Sequence, residues 1–330
     1  MPSQSGNLWS FRLLPVYRDH NICYRFPMGL AYTTNRLLRR CGFQLVRTET
    51  LAKLQSLEPA SSSSEPFFWD LGGHLGVVRA TNGNLICMDA RDTSLGQVIR
   101  RTGCWESHVE ALCRRLVRPD SIAIDVGANI GYHTAVLARL AKHVLSVEAN
   151  PVTADLLRGT VALNRFRNVS VIECAAMDRA QAVDIFVPEE YLGAGAVARP
   201  SWYDDPNLKH WQRYPVQAET LDSVSRELAS VDLIRMDIEG CELAALRGAR
   251  ELLSRSPGAR IVMEWGAYNM PAYGDVLEGL DYLADLGFTH FSKIEADGSL
   301  VRKNKAEMID RLGMGRHDVC DVAISRSPLL

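Results

Sequence analysis

Ser121 to Pro151 reads SIAIDVGANIGYHTAVLARLAKHVLSVEANP. The apolar run Ile122-Ala123-Ile124 ends in Asp125, and a glycine-bearing turn follows, Gly127-Ala128-Asn129-Ile130-Gly131. Ala135, Val136, Leu137, Leu140 and Ala141 then recur at helical spacing, and a second apolar run, Val144-Leu145-Ser146-Val147, stops at Glu148. The order is strand, turn, helix, strand, with an acid at the tip of each strand. Such a unit binds a nucleoside-containing cofactor at the carboxyl edge of a parallel sheet.

Downstream the alternation continues. Val152–Leu163 is helical, Val169–Cys174 is a strand with Asp178 close behind, and Ala182–Val187 alternates like an edge strand. Gly193–Pro215 is a loop holding Trp202, Tyr203, Trp211 and Tyr214, long enough to act as a lid or binding loop. Val231–Met236 is a buried strand ending at Asp237, Glu239-Gly240 opens a helix through Leu253, and Arg260–Met263 is a strand ending at Glu264. A helix over Asp275–Leu286, closed by Gly287, precedes the last strands, Phe288–Ile294 and Val319–Ile324. Strands alternating with helices define an α/β doubly wound sheet, with antiparallel strands at its end.

Upstream, Val77-Val78 and Leu85–Met88 flank Asn82-Gly83, a strong hairpin signal. Ser94–Leu116 is helical with a break at Gly103, and Ser61–Ser64 is the clearest linker. Asn7–Met28 reads as an irregular segment and Asn35–Leu57 as a helix, with Arg36, Arg39, Arg40 and Arg47 on its solvated face. Three divisions result: an N-terminal helical and irregular extension (1–64), a hairpin and helical lead-in (65–118) and the cofactor-binding domain (119–330).

Among the 330 residues, 47% are hydrophobic and 23% charged, the balance of a soluble globular protein. A net charge of -2 without a long basic run argues against a nucleic-acid partner. The 8 cysteines form no C-x-x-C pair and no zinc-type cluster, which points to a reduced chain in the cytoplasm without a metal. No apolar run approaches the roughly 20 residues of a transmembrane span, and the polar start is unlike a signal sequence. Homo-oligomers are among the expected assemblies.

The turn discriminates between cofactors. A dinucleotide fingerprint requires G-x-G-x-x-G, but counting from Gly127 the second and third positions hold Asn129 and Tyr132. Tyrosine blocks the close helix–strand approach that a pyrophosphate needs, so an NAD-linked oxidoreductase is the weaker alternative. The surviving pattern suits S-adenosylmethionine (SAM), which carries an ammonium, a carboxylate and a sulfonium but no phosphate. Gly127 lets the backbone approach the methionine moiety, Asn129 tolerates a left-handed conformation, and Gly131 relieves crowding where the helix begins. Asp125 is placed to meet the ammonium, directly or through water, Glu148 the ribose hydroxyls and Asp178 the adenine amino group. Thr134, Ala149 and Ala175, beside these positions, complete the candidate cofactor set.

Ile124–Thr134, Val147–Pro151 and Asp232–Glu242 together resemble the FkbM-type SAM-dependent methyltransferase family. Leu221-Asp222, Met263-Glu264-Trp265 and Gly103-Cys104-Trp105-Glu106 fit the same pattern, and the likeness extends over roughly residues 85–325. Arg235 stands where such proteins more often carry lysine. The resemblance implies a class I methyltransferase (Rossmann-like) fold: a mostly parallel seven-stranded sheet with helices on both faces, here with an N-terminal extension bearing a β-hairpin. It also implies O-methylation of a hydroxyl on a small-molecule or glycan acceptor. A catalytically silent SAM-binding partner module is a further alternative.

Methyl transfer to an alcohol requires alignment, exclusion of water and removal of one proton. Asp237, Glu239 and Glu264 are the candidate catalytic acids, with one acting as base. A metal-free reaction is preferred to a cation held by two of them, because no Asp-Asn pair follows the fifth strand. His133, nearest the cofactor turn, completes the catalytic candidates and is more readily a packing residue than the base. His210 is an outside candidate.

Overall fold

Apolar residues alternate in phase along several short segments, and these segments form strands paired into sheets. Residues 8–15, 22–27, 43–47, 65–189, 191–197, 210–266, 275–309 and 319–329 are described by this computed structural model. They belong to two compact units, Met1–Ser63 and Ser64–Leu330.

In the first unit, strands β1 (Leu8–Pro15), β2 (Ile22–Pro27) and β3 (Phe43–Arg47) form a sheet in the order β2-β1-β3, antiparallel throughout. This corrects the irregular reading of 7–28 and places a strand inside the span read as helical. Trp9, Phe11 and Leu13 alternate with Ser10 and Arg12, and a period of two favours a strand over an irregular path. Past Gly42, Phe43-Gln44-Leu45 alternates in the same way. The rest of the 35–57 span and the linker at 61–64 lie outside the described residues.

The second unit opens with β4 (Phe67–Gly72), β5 (Leu75–Arg79) and β6 (Leu85–Asp89), an antiparallel sheet in that order. Gly83, at φ 81°, makes the expected turn between β5 and β6. Helix α1 (Leu95–Thr102) stops at Gly103, whose φ of 71° closes it, and α2 (Ser107–Leu116) follows.

The opening stretch forms β7 (Ile122–Val126), α3 (Tyr132–Leu140) and β8 (His143–Glu148). Helix α4 (Pro151–Leu163) has proline in its first turn, and the Asn150 side chain caps it by accepting from Val152 N at 3.0 Å. Strands β9 (Val169–Glu173), β10 (Ala175–Ala176), β11 (Gln181–Pro188) and β12 (Trp211–Glu219) come next. β10, β12 and β11 form a side sheet in that order. Trp211 and Tyr214 thus lie on a strand, shortening the expected loop, while Trp202 and Tyr203 lie outside the described residues.

After α5 (Leu221–Val224) come β13 (Leu233–Met236), α6 (Glu242–Arg247), α7 (Arg250–Ser254), β14 (Arg260–Trp265), α8 (Val276–Asp285), β15 (His290–Ile294), β16 (Leu300–Lys303), α9 (Lys305–Ile309) and β17 (Cys320–Ser325). The expected helix from 239 to 253 is two helices broken at Gly248, where a Cβ would stand 2.1 Å from the Met177 carbonyl oxygen.

The main sheet runs β16-β15-β17-β14-β13-β7-β8-β9. The five strands from β14 to β9 are parallel, and β17 enters antiparallel beside β14. It is the expected class I methyltransferase architecture with eight strands instead of seven. The added strand, β16, is a hairpin partner of β15, made possible by the turn at Gly298 with φ 78°. Adjacent residues of one strand face opposite cores. Ile124, Leu145, Ile234 and Ile261 pack with α6, α7 and α8, while Ala123, Val144, Leu233 and Val262 pack with α2 and α3. Strand order reverses between β7 and β13, the switch point where ligands bind in open α/β sheets.

Candidate active site

At that switch point lies a cleft partly open to solvent. Val126, Val147, Ile185, Leu192, Val197 and Ile238 give it apolar walls, and Glu148, Asp237 and Glu239 bring carboxyl groups to it. Ala149 and Ala175 line it as expected. Gly193 passes so close to the cofactor turn that a Cβ there would meet the Asn129 amide nitrogen at 2.5 Å.

The turn adopts the conformation its residues permit: Gly127, Asn129 and Gly131 have φ of 74°, 51° and 88°. Gly127 is required by packing, since a Cβ would stand 1.8 Å from the Asp237 carbonyl oxygen. Glu148 holds the turn from the neighbouring strand. Its Oε2 accepts from Asn129 N at 2.7 Å, and its Oε1 accepts from Asn150 N at 2.8 Å and Thr153 Oγ1 at 2.9 Å. Burial pushes the Glu148 carboxyl above its ordinary value against those donors. Glu148 therefore both faces the cleft and staples its rim.

Asp125 and Thr134 lie beneath the turn, both fully buried. Thr134 Oγ1 donates to Asp125 Oδ2 at 2.6 Å, while Asp125 Oδ1 is 3.6 Å from Arg235 Nη1. Neither is among the residues that line the cleft. Asp178 is exposed and is not among the lining residues, although Ala176, two residues before it, is.

Arg235 is the hub of this buried layer. Its Nη1 donates to the Gly127 carbonyl at 3.1 Å, and its Nη2 donates to Asp237 Oδ2 at 2.9 Å and Glu106 Oε2 at 3.1 Å. His133 Nε2 lies 2.9 Å from the same Glu106 oxygen. His133 is thus buried against Glu106 instead of lining the cleft. His210 is exposed at the start of β12.

Beside the cleft four carboxyl groups crowd together. Burial, partly offset by Arg235, raises Asp237 to about 6. Burial and the Asp237 charge raise Glu239 to about 8 and push Glu264 well above the carboxylate range. Glu242 reaches about 7 through burial, although its Oε1 accepts from Ile238 N at 3.0 Å and Gly240 N at 3.3 Å. Its other oxygen has no hydrogen-bond partner among the described residues. Glu239 does not open a helix as expected. It sits in a left-handed turn at φ 55°, three residues before α6, held there by the Glu242 grip on both flanking amides. Among the described residues no group of His, Cys, Asp and Glu is arranged to hold a metal ion.

Glu106 and Glu242 are the residues that motif reasoning left without a role. Both lie inside quoted motifs, but only the fold shows their partners. Asp321, opposite Glu264 across β14 and β17, is another, paired with His108 at 2.6 Å.

The fold is an open α/β sheet with an acid-rimmed cleft at its switch point. The family model of the methyltransferase FkbM domain matches residues 125–289, half of the chain, and the chain belongs to that family. The 2-O-methyltransferase NoeI of Sinorhizobium fredii is 28% identical over 191 residues, covering 53% of this chain and 76% of that protein. Among solved structures, the FkbM methyltransferase of Methylobacillus flagellatus aligns with a TM-score of 0.40 and 18% identity, over 63% of this chain and 44% of that one. The chain thus spans less than half the length of that solved protein. TYW2 of M. jannaschii, solved in complex with AdoMet, aligns with a TM-score of 0.41 and 16% identity, over 78% of this chain and 90% of that one.

Proposed function

We propose that this methyltransferase uses SAM to methylate a hydroxyl group of a sugar, glycan or small natural product. Membership of the FkbM family carries the methyl-transfer assignment, and NoeI supports an oxygen acceptor. The cleft suits SAM: apolar walls for the nucleoside, Glu148 for the ribose hydroxyls and the Gly127–Gly131 backbone for the methionine end. When bound, SAM supplies a methyl group activated on a sulfonium.

The chain's own task is then to hold the acceptor hydroxyl and take its proton. A base is most effective when its proton affinity lies near the working pH, and Asp237, at about 6, is ionised at neutral pH. Asp237 is the proposed base, with Arg235 fixing its carboxylate. Glu239, at about 8, lines the cleft, remains protonated and donates a hydrogen bond to the acceptor, while Glu264, raised well above the carboxylate range, is a neutral neighbour outside the lining residues. The arrangement needs no metal.

Calorimetric titration with SAM and with NAD tests the cofactor. Binding of SAM alone is expected, and binding of NAD alone would overturn the assignment. Transfer of labelled methyl from SAM to a panel of hydroxylated sugars tests the acceptor class, and label appearing only on amines would refute it.

A further inference from the structure

We propose that Glu106, outside the segment matched by the family model, is a positioning residue that holds Arg235 and through it the Asp237 carboxylate. The proposal rests on the assignment of Asp237 as base. Glu106 stands at the N-cap of α2 with φ 43° and ψ 57°, left-handed values for a non-glycine residue. Such a backbone is strained and persists where surrounding contacts impose it. The side chain makes no capping hydrogen bond, giving up the usual reward of that position. Instead its Oε2 accepts from Arg235 Nη2 at 3.1 Å and lies 2.9 Å from His133 Nε2.

The same Arg235 nitrogen, which carries two hydrogens, also donates to Asp237 Oδ2 at 2.9 Å, so Glu106 and Asp237 are bridged by one guanidinium nitrogen. Asp125, 3.6 Å from Nη1, draws on the other end of the guanidinium. One buried cation thus serves three carboxylates. Asp237, the member that reaches the cleft, is left incompletely neutralised, which is the condition for a base. Two residues further on, His108 pairs with Asp321 at 2.6 Å, so the start of α2 is tied to the sheet at two points.

Asp237 is faced by Arg235 from its own strand, by Glu106 and His133 from the α2 and α3 side, and by Asp321 from β17. Glu239, Glu242 and Glu264 surround it on the cleft side. Removing the Glu106 charge takes away one repulsive neighbour and leaves the Arg235 charge with one fewer carboxylate to neutralise. Asp237 then becomes a stronger acid.

The test is a carboxyl NMR titration of full-length protein carrying ¹³C-labelled aspartate, with the Asp237 signal assigned by its loss in Asp237→Asn. In Glu106→Gln the Asp237 midpoint is expected to fall by at least one pH unit, a tenfold stronger acid. Glu106→Gly, which relieves the left-handed backbone, is expected to show the same fall and covers failure of the glutamine variant to fold. An unchanged Asp237 midpoint in a folded variant would overturn the proposal. So would a wild-type Asp237 that titrates at the ordinary aspartate value, whatever the variants do. Calorimetry with SAM reads the cofactor assignment separately: wild-type protein that fails to bind SAM while the titration coupling persists would refute that assignment and leave this one standing.

Discussion

The carbonyl oxygen of Asp237 lies directly against Gly127, so that a Cβ at position 127 would stand 1.8 Å from it. The Gly127–Gly131 turn and the tip of β13 are therefore one packed object. Gly127→Ala must either push β13 away or leave its φ of 74°. A loss of about 2–4 kcal/mol of stability is expected, in the range of strain at a special backbone position combined with a steric clash. Urea denaturation measures it, and a loss below about 0.5 kcal/mol would show that the turn yields freely.

Asp237→Asn keeps the shape of the side chain and removes its charge. SAM affinity measured by calorimetry is expected to stay within about threefold of wild type. Methyl transfer is expected to fall by about 10²–10⁴, the usual contribution of a positioned base. Retained transfer at the wild-type rate would assign the base elsewhere, with Glu239 next in line.

Glu239 and Glu106 are both left-handed residues beside the site, but only Glu239 lines the cleft. Glu239→Gly removes the backbone strain and a buried acid together, so stability is expected to rise by about 1 kcal/mol. Methyl transfer is expected to fall at the same time. A variant that is less stable than wild type would contradict the strain at this position.

Stability should depend on pH with a definite sign. Asp237, Glu239 and Glu242 have folded values of about 6, 8 and 7, all above their ordinary ones. Folding therefore takes up protons between roughly pH 4 and 8, and the stability present at the acid end is lost as pH rises through those folded values. Glu106 runs the other way. His133 and Arg235 hold it at about 2, against burial, so its contribution is full above 4.5 and lost as pH falls toward 2. The unfolding free energy from urea denaturation is expected to peak near pH 5 and to decline by pH 8, by more than about 1.4 kcal/mol, the equivalent of a one-unit shift. An unfolding free energy that rises from pH 5 to 8 would rule out the buried acid cluster.

Glu148 carries two loads, and its variants separate them. Glu148→Ala strands the amides of Asn129 and Asn150, each costing about 1–3 kcal/mol when left unpaired in the interior. Both stability and SAM affinity are expected to drop. Glu148→Gln keeps an acceptor for one amide, so it should retain more stability while still losing SAM affinity. Equal affinity in wild type and Glu148→Gln would remove the ribose role.

Local order settled most of the fold before any contact was known. The alternation in Ile122–Val126 and His143–Glu148, the glycines at 127 and 131 and the caps around α4 are each written within a few residues. The strands, the turn and the helices follow from that local chemistry. The first unit was harder to read, because Arg and Pro break the apolar rhythm of Leu8–Pro27 and hide two strands. β16 was missed for a related reason: four residues with an exposed valine carry too little periodicity to stand out.

Sequence alone identified the acids at 125, 148, 237, 239 and 264, because residue type and position at a strand tip are local properties. Tertiary structure decided what each one meets. It buried Asp125 and Thr134 beneath the turn, turned His133 toward Glu106 and left Asp178 exposed. It also brought Glu106, 129 residues away in sequence, to within 3.1 Å of Arg235. Proton affinity and orientation depend on burial and on neighbouring charges, and those neighbours come from strands and helices that only the folded sheet places side by side.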